Sequence, residues 1–226
     1  MEKAKENLEL ITQYFSEFSE LQLQRLEALA GLYKDWNSKI NVISRKDEDM
    51  LYERHVLHSL SIAAVFNFQK GMNVLDLGSG GGFPGIPLAI FFPEVKFHLA
   101  DSIGKKMKVA QAIAESLQLT NVTTQHTRAE DILNRKFEVV VSRAVAPLKD
   151  LWKWSKPLLK QRTASTLQNA GAPGDERPVP GGLICLKGGN LDLEISESGC
   201  RPRVMEISEL FKESFFREKF ILNIPL

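Results

Sequence analysis

Residues 73–85 read NVLDLGSGGGFPG, an apolar run that passes directly into a glycine-rich turn. Five of the eight residues from 78 to 85 are glycine, which permits positive φ angles and a close approach of the backbone to a ligand. A helix is predicted to begin at the end of the turn, so its unpaired N–H groups face the same place. This arrangement predicts a binding site for an adenosine-containing ligand or its phosphate. A tight turn without a ligand is the alternative.

After this turn, short apolar runs alternate with helical stretches. The runs are NVLDL at 73–77, VKFHLAD at 95–101, VTTQHT at 122–127, FEVVVSR at 137–143 and GLICLKG at 182–188. Helices are predicted between them at 84–92, 104–117 and 148–159. Parallel neighbours need crossover connections, so this alternation predicts an α/β domain with a covered sheet. The segment 161–180 is rich in Gly, Pro, Ser, Thr and Asn and is interpreted as a mobile loop.

The first 66 residues are predicted to form a helical cap. Apolar residues recur at spacings of three and four, which lays one apolar stripe along each of two successive helices. Ser19 with Gln22 matches a capping box at the start of the second helix, and Ser44 with Asp47 resembles one before a third. Three helices therefore precede the first strand.

Composition excludes several classes of protein. With 226 residues and 43% hydrophobic content, the chain can bury a substantial core and is neither disordered nor fibrous. A net charge of +1 means that any contact with nucleic acid must come from a local basic face. Cys185 and Cys200 form no CxxC pair, so a disulfide framework or zinc site is not expected. No apolar run approaches the length of a membrane span, and a cytoplasmic protein is expected.

Two acidic residues decide between possible ligands of the turn. Gly80, Gly82 and Gly85 satisfy the dinucleotide pattern GxGxxG, and Asp101 ends the second strand, where an acid can hold a ribose hydroxyl. Capping of the next helix is the alternative role for Asp101. Asp76 makes the turn D-x-G-x-G-x-G, which resembles motif I of class I S-adenosylmethionine methyltransferases. An NAD(P)-binding oxidoreductase stays a competing interpretation, although it leaves Asp76 unexplained.

Longer motifs narrow the resemblance to one family. The segments DLGSGGGFPGIPLAI, LADSIGKKMKV, TRAED, VVSRAVAPL and LICLKGG resemble the ribosomal RNA small subunit methyltransferase G family, also called the glucose-inhibited division protein B family. WNSKINVISRKDEDMLYERHVLHSL resembles its N-terminal signature, so the match runs from residue 36 to 189. The resemblance implies a Rossmann-like, mainly parallel seven-stranded sheet at 67–226 behind an N-terminal helical cap at 1–66.

The resemblance also implies an activity and a set of site residues. The family transfers a methyl group from S-adenosylmethionine to N7 of a guanine in the decoding region of 16S ribosomal RNA. Contacts with the cofactor are implied for residues of the glycine turn, of TRAED and of SRA, with Asp101 in the ribose role: Gly78, Gly80, Phe83, Ala129, Glu130 and Arg143. Helix capping is the alternative for Glu130, and a structural ion pair is the alternative for Arg143.

No catalytic acid or base is assigned, because guanine N7 carries no proton and attacks the sulfonium methyl directly; proximity and orientation then account for catalysis. Metal binding is not expected. Arg45 and Lys46 near the second helix junction, and Lys187 after the fifth apolar run, are the candidate RNA contacts. A methyltransferase for another RNA, a protein or a small molecule stays an alternative.

The chain departs from the family pattern in two places. His58 stands where many members carry an aspartate, so no role of that carboxylate is transferred. The segment before GGLICLKGG is expanded, which leaves its conformation open.

Overall fold

The computed structural model describes residues 2–44, 46–143, 146–161 and 177–226, with side chains from residue 7 onward. Arg45 and most of the predicted loop at 161–180 lie outside these residues. The described part contains one seven-stranded sheet with helices against both faces. The predicted α/β fold is confirmed.

The sheet contains all five strands predicted from the apolar runs and two more. In chain order its strands are β1 (Asn73–Leu77), β2 (Lys96–Asp101), β3 (Val122–His126), β4 (Val139–Arg143), β5 (Gly182–Gly188), β6 (Arg203–Glu206) and β7 (Lys219–Ile224). Their spatial order is β3-β2-β1-β4-β5-β7-β6, and β7 alone runs in the direction opposite to that of the other six strands. β6 escaped the sequence pattern because it is an exposed edge strand without apolar alternation.

The strand order locates a crevice. From β1 the chain passes to β2 and β3 on one side and then returns to β4 on the other. Ligands of open α/β sheets bind outside the carboxyl ends of the strands where the order reverses in this way. The carboxyl ends of β1, β2 and β4 are therefore the place to look for a site.

The helices are α1 (Glu2–Thr12), α2 (Glu20–Asn37), α3 (His58–Val65), α4 (Gly85–Phe91), α5 (Gly104–Ser116), α6 (Leu148–Ser155) and α7 (Asp192–Ser198). The prediction of a helix at 148–159 is too long, since α6 gives way to a 3₁₀ turn at Lys156–Leu158. Pro157 lies in that turn and cannot donate the hydrogen bond that would continue the helix. None of the described helices has the length and apolar character needed to cross a bilayer.

Apolar side chains pack on both faces of the sheet. Val74 and Leu75, adjacent on β1, belong to opposite clusters, as the two-residue period of a strand requires. The cluster around Val74 also contains Ile11 and Leu26, so the N-terminal helices pack directly on the sheet. A domain division between residues 66 and 67 stays a prediction; the apolar core is continuous across it.

The start of α2 has the predicted capping box. Ser19 Oγ accepts from Gln22 N at 3.3 Å, and Ser19 N donates to Gln22 Oε1 at 2.9 Å. Gln22 Nε2 also donates to Ile90 O at 2.9 Å, which fixes α2 against the end of α4.

The third helix differs from its prediction. Ser44 Oγ bonds Asp47 Oδ2 at 2.7 Å, but a 3₁₀ turn at Glu48–Met50 follows and then a π-helical turn at Tyr52–Leu57. Only after this π-helical turn does the regular helix α3 begin. π-Helical turns are rare and are found frequently at functional sites.

Candidate cofactor-binding site

The glycine-rich turn lies at the carboxyl end of β1. Gly78 N donates to Ala100 O at 2.8 Å, which ties the turn to the end of β2. Gly80 has a φ of +54°, a left-handed conformation that strains L side chains. Gly85 has no space for a side chain, because a Cβ there would lie 2.6 Å from Asp76 Oδ2. Gly80 is therefore needed for its left-handed backbone conformation, and Gly85 is needed for the close packing against Asp76.

Asp76 is buried beneath the turn. Its Oδ2 accepts from Gly85 N at 2.7 Å, while its Oδ1 has no hydrogen-bond partner among the described residues. Burial raises the pKa of Asp76 to about 7, with the negative charge of Asp101 adding to the rise; the bond from Gly85 N and the charge of Arg143 oppose it. The carboxyl group therefore exchanges its proton near neutral pH.

This proton predicts a pH dependence of stability. In the unfolded chain Asp76 titrates near its ordinary pKa of 3.8, but in the folded protein it titrates at about 7. Between these values the folded state holds a proton that the unfolded state has lost, so stability falls as the pH rises. We expect the free energy of unfolding of the wild type to fall relative to that of Asp76→Asn by at most about 1.4 kcal/mol per pH unit.

Urea unfolding of both proteins at about pH 5 and about pH 8 measures this difference. Other ionisable groups cancel in the comparison, because the two proteins share them. An equal gap between wild type and Asp76→Asn at both pH values would show that the buried carboxyl is already ionised at the lower one.

Asp101 braces the turn from the end of β2. Its Oδ2 accepts from Gly80 N at 2.9 Å and its Oδ1 from Ile103 N at 2.8 Å. It does not take the alternative role of helix N-cap, since the N-cap residue of α5 is Ile103 and no side chain caps that helix. Each carboxylate oxygen has a second lone pair, so Asp101 can accept from ribose hydroxyls while it holds both loops.

A cleft of about 460 Å³ opens beside Asp101. Gly78, Ala129 and Glu130 line it as well, so four of the predicted cofactor residues surround one space. The 3₁₀ turn Ala129–Asp131 begins after Arg128 without a side-chain cap, and the capping alternative for Glu130 is therefore not adopted.

Two apolar side chains in the cleft were not assigned to it from the sequence. Ile103, which is 43% exposed, and Trp154 of α6 both line the space. They give the cleft apolar surface of the kind on which an aromatic base packs. No local signal separates Trp154 from Trp152, two residues earlier on the same helix, and only the packing of α6 places one of them here.

Phe83 and Arg143 form a second cluster beside the turn and do not line the cleft. Phe83 is buried and stacks on Tyr33, with ring centroids 4.7 Å apart. The Arg143 guanidinium carbon lies 5.0 Å from the centroid of the Phe83 ring. Its Nη1 donates to Arg54 O at 3.2 Å, and its Nη2 lies 2.9 Å from His55 Nδ1.

Arg143 has no described carboxylate within ion-pair distance. The structural ion pair considered as an alternative is therefore absent from the described part of the chain. Burial lowers the pKa of Arg143 to about 10, so it is still a cation at neutral pH. A half-buried cation without a carboxylate suits a ligand that brings one, as the methionine part of S-adenosylmethionine does. The residues at this site fit that cofactor.

The candidate RNA contacts have different surroundings. Lys46 is exposed. Lys187 is only 8% exposed, and its ammonium group bonds Glu194 Oε1 at 2.6 Å and Ala146 O. α7 supplies this carboxylate, which offsets the positive charge that a phosphate would meet at Lys187. A contact between Lys187 and RNA stays a prediction.

The described residues offer neither a metal cluster nor a reactive thiol at the site. No group of three or more His, Cys, Asp or Glu side chains among them could hold a metal ion. Cys185 is buried in β5, where burial raises the pKa of its thiol to about 12, so it carries no thiolate at neutral pH. Covalent attack by this cysteine on a base is not supported.

Comparison with solved structures agrees with the fold. A mutant of MtNAS in complex with S-adenosylmethionine superposes with a TM-score of 0.55 at 14% identity, over 90% of this chain and 76% of the other. A fibrillarin/Nop5p complex gives a TM-score of 0.53 at 10% identity, over 76% of this chain and 84% of the other. At such identities the likeness shows the architecture alone.

Sequence comparison identifies the family. The family model described as rRNA small subunit methyltransferase G matches residues 22–176. Ribosomal RNA small subunit methyltransferase G of Phocaeicola vulgatus is 51% identical over 97% of this chain and 99% of its own length. The protein of the same name from Porphyromonas gingivalis is 51% identical over 96% of this chain and 93% of its own. The chain therefore belongs to the rRNA small subunit methyltransferase G family.

Proposed function

We propose that this chain transfers the methyl group of S-adenosylmethionine to N7 of a guanine in the decoding region of 16S ribosomal RNA. The observation that carries the cofactor assignment is the cleft at the switch point of the sheet, where the Asp101 carboxylate meets the glycine turn. Arg143 lies nearby and has no carboxylate partner among the residues that the structure describes. Family membership supports the RNA substrate. S-Adenosylmethionine supplies an electrophilic methyl group on its sulfonium.

Different side chains bind different parts of the cofactor. Asp101 accepts from the ribose hydroxyls, and Glu130 with the apolar Ile103 and Trp154 surrounds the adenine. Arg143, across β1 at the end of β4, holds the carboxylate of the amino-acid part. The turn at Gly78 and Gly80 lets the backbone approach the cofactor between these ends.

The histidines near the site support chemistry without a general base. Burial, together with the charge of Arg143, lowers the pKa of His55 and of His58 to about 3. A base with so low a pKa takes a proton weakly at neutral pH. Guanine N7 needs no such base, because its lone pair is free for attack. Orientation of the base against the cofactor then supplies the rate enhancement.

We propose that the enzyme acts in the cytoplasm on the small ribosomal subunit or its precursor, since 16S RNA is part of both. Transfer of labelled methyl groups to naked 16S RNA, to a partly assembled subunit and to the mature subunit tests the proposal. We expect incorporation into at least one of the three. Incorporation into none of them, with S-adenosylmethionine bound normally, would contradict an RNA substrate of this kind.

The basic pair Arg45 and Lys46 is expected to contact phosphate. Replacing both by alanine should raise the KM for the ribosomal substrate and lower the salt dependence of binding by about two counterions. The affinity for S-adenosylhomocysteine should not change, because Lys46 is exposed outside the cleft.

The matched control replaces two other exposed lysines: Lys70, which pairs with Glu94 in the turn before β1, and Lys96, the first residue of β2. This control removes the same charge at the opposite edge of the sheet. Salt titrations of RNA binding compare the two double variants. The same loss in both would mean that only net charge matters, and the Arg45–Lys46 contact would be wrong.

A further inference from the structure

Arg143 is held by a segment that precedes the cofactor-binding motifs of the sheet. Its guanidinium contacts the Phe83 ring on one side, Arg54 O through Nη1 and His55 Nδ1 through Nη2. Arg54 and His55 are neighbours in the π-helical turn Tyr52–Leu57 and lie 89 and 88 positions from Arg143 in the chain. The N-terminal helical region therefore reaches directly to the cofactor residue.

The chemistry of this contact fixes the tautomer of His55. A guanidinium can only donate hydrogen bonds, so His55 Nδ1 must carry its lone pair and Nε2 must carry the proton. The environment agrees, since burial and the neighbouring cation both disfavour a second proton on the ring. His55 Nε2 is buried without a partner among the described residues, so no competing contact turns the ring away from Arg143.

An acceptor at this position restricts where the guanidinium points. Arg143 has no carboxylate partner among the described residues to hold its guanidinium. A long side chain loses considerable rotational freedom when it is fixed in one position. Two acceptors from one π-helical turn and the face of Phe83 hold the group before a ligand arrives. Such preorganisation spares the ligand the cost of ordering the side chain.

We infer that His55 is a positioning residue, whose Nδ1 orients Arg143 toward the carboxylate of the amino-acid part of the cofactor. This inference rests on the proposed function, because it takes the ligand to be S-adenosylmethionine. His55 does not touch the transferred methyl group in this account; it acts through Arg143.

Two substitutions distinguish the effect of the hydrogen-bond acceptor of His55 from the effect of its ring. His55→Phe keeps a ring against Phe83, whose centroid lies 5.0 Å from that of His55, but removes the acceptor. His55→Asn removes the ring and keeps an oxygen, Oδ1, at the bond position of Nδ1. A role in packing alone would favour the Phe variant, whereas the positioning role favours the Asn variant.

The test measures binding of two ligands by calorimetry. S-Adenosylhomocysteine carries the carboxylate, and 5′-methylthioadenosine lacks it. His55→Phe should weaken S-adenosylhomocysteine by about tenfold, as expected for a lost hydrogen bond to a charged group, and leave methylthioadenosine within about twofold. His55→Asn should retain the affinity for S-adenosylhomocysteine within about threefold.

Equal weakening of both ligands in His55→Phe, or a larger loss in His55→Asn than in His55→Phe, would overturn the inference. A wild-type protein that binds neither ligand would instead overturn the proposed function. A readout without substitution guards against misfolded variants: ¹⁵N NMR of the wild type near neutral pH should show His55 unprotonated at Nδ1 and protonated at Nε2. The opposite tautomer would also overturn the inference.

Discussion

Asp101→Ala is expected to weaken the binding of S-adenosylhomocysteine by about 10- to 100-fold. Each hydrogen bond from a ribose hydroxyl to the carboxylate contributes about 1.5–3 kcal/mol. The substitution also removes the acceptor of Gly80 N and Ile103 N, and so loosens the turn and the loop that border the cleft. Calorimetric titration of the variant measures the loss.

The control for this prediction is Asp131→Ala. Asp131 is exposed in the 3₁₀ turn beside the cleft, and its removal changes the net charge equally without touching the cleft lining. Its affinity should match that of the wild type. Asp101→Asn should be intermediate, since an amide offers one acceptor oxygen where the carboxylate has two. Unchanged affinity in a folded Asp101→Ala protein would remove Asp101 from the site.

Gly80→Val is expected to have the larger effect, a loss of affinity of at least about 100-fold. A left-handed residue with a side chain costs about 1–2 kcal/mol, and more when it is β-branched. Relaxation of that strain would move Gly80 N away from Asp101 Oδ2, and a charge-assisted hydrogen bond would be lost with it. Among the described residues the nearest atom to an added Cβ is Lys106 Cδ at 3.9 Å, so a clash with them does not contribute to the expected effect.

Gly71→Val is the matched control. Gly71 has a φ of +81°, and no atom of the described residues lies within 4 Å of an added Cβ. It precedes β1 at the opposite edge of the sheet. It should lose stability to similar strain but retain its affinity for S-adenosylhomocysteine. If both variants bind equally well after correction for the folded fraction, the ligand does not lie against the glycine turn.

The parts of this fold that were predicted from sequence depend on local chemistry. The capping box at Ser19 and the strand Asn73–Leu77 are set by residues within a few positions of one another. Asp76 and Asp101 could be assigned to the cofactor edge because both lie at the carboxyl ends of adjacent parallel strands. In each case residues that are close together in the sequence, or at equivalent ends of neighbouring strands, determine the structure.

The parts that were not predicted depend on partners far along the chain. Lys187 meets Glu194 only because α7 folds back over the end of β5. Arg143 and His55, 88 positions apart, meet through a π-helical turn that the apolar spacing had indicated as ordinary helix. Trp154 faces the cleft through the packing of α6. No local pattern carries such information, because each contact depends on how two separate elements pack.

The chemical identity of the product tests the central claim most directly. Small subunits that lack the modification would be incubated with the enzyme and S-adenosylmethionine, and the 16S RNA digested and analysed by mass spectrometry. We predict one methylated nucleoside above background, 7-methylguanosine, which is absent when Asp101→Ala enzyme is used at a limiting cofactor concentration. Borohydride reduction followed by aniline should then cleave the RNA at a single guanine. A methyl group on an exocyclic amine, or on C5 of cytosine, with no 7-methylguanosine would contradict the account.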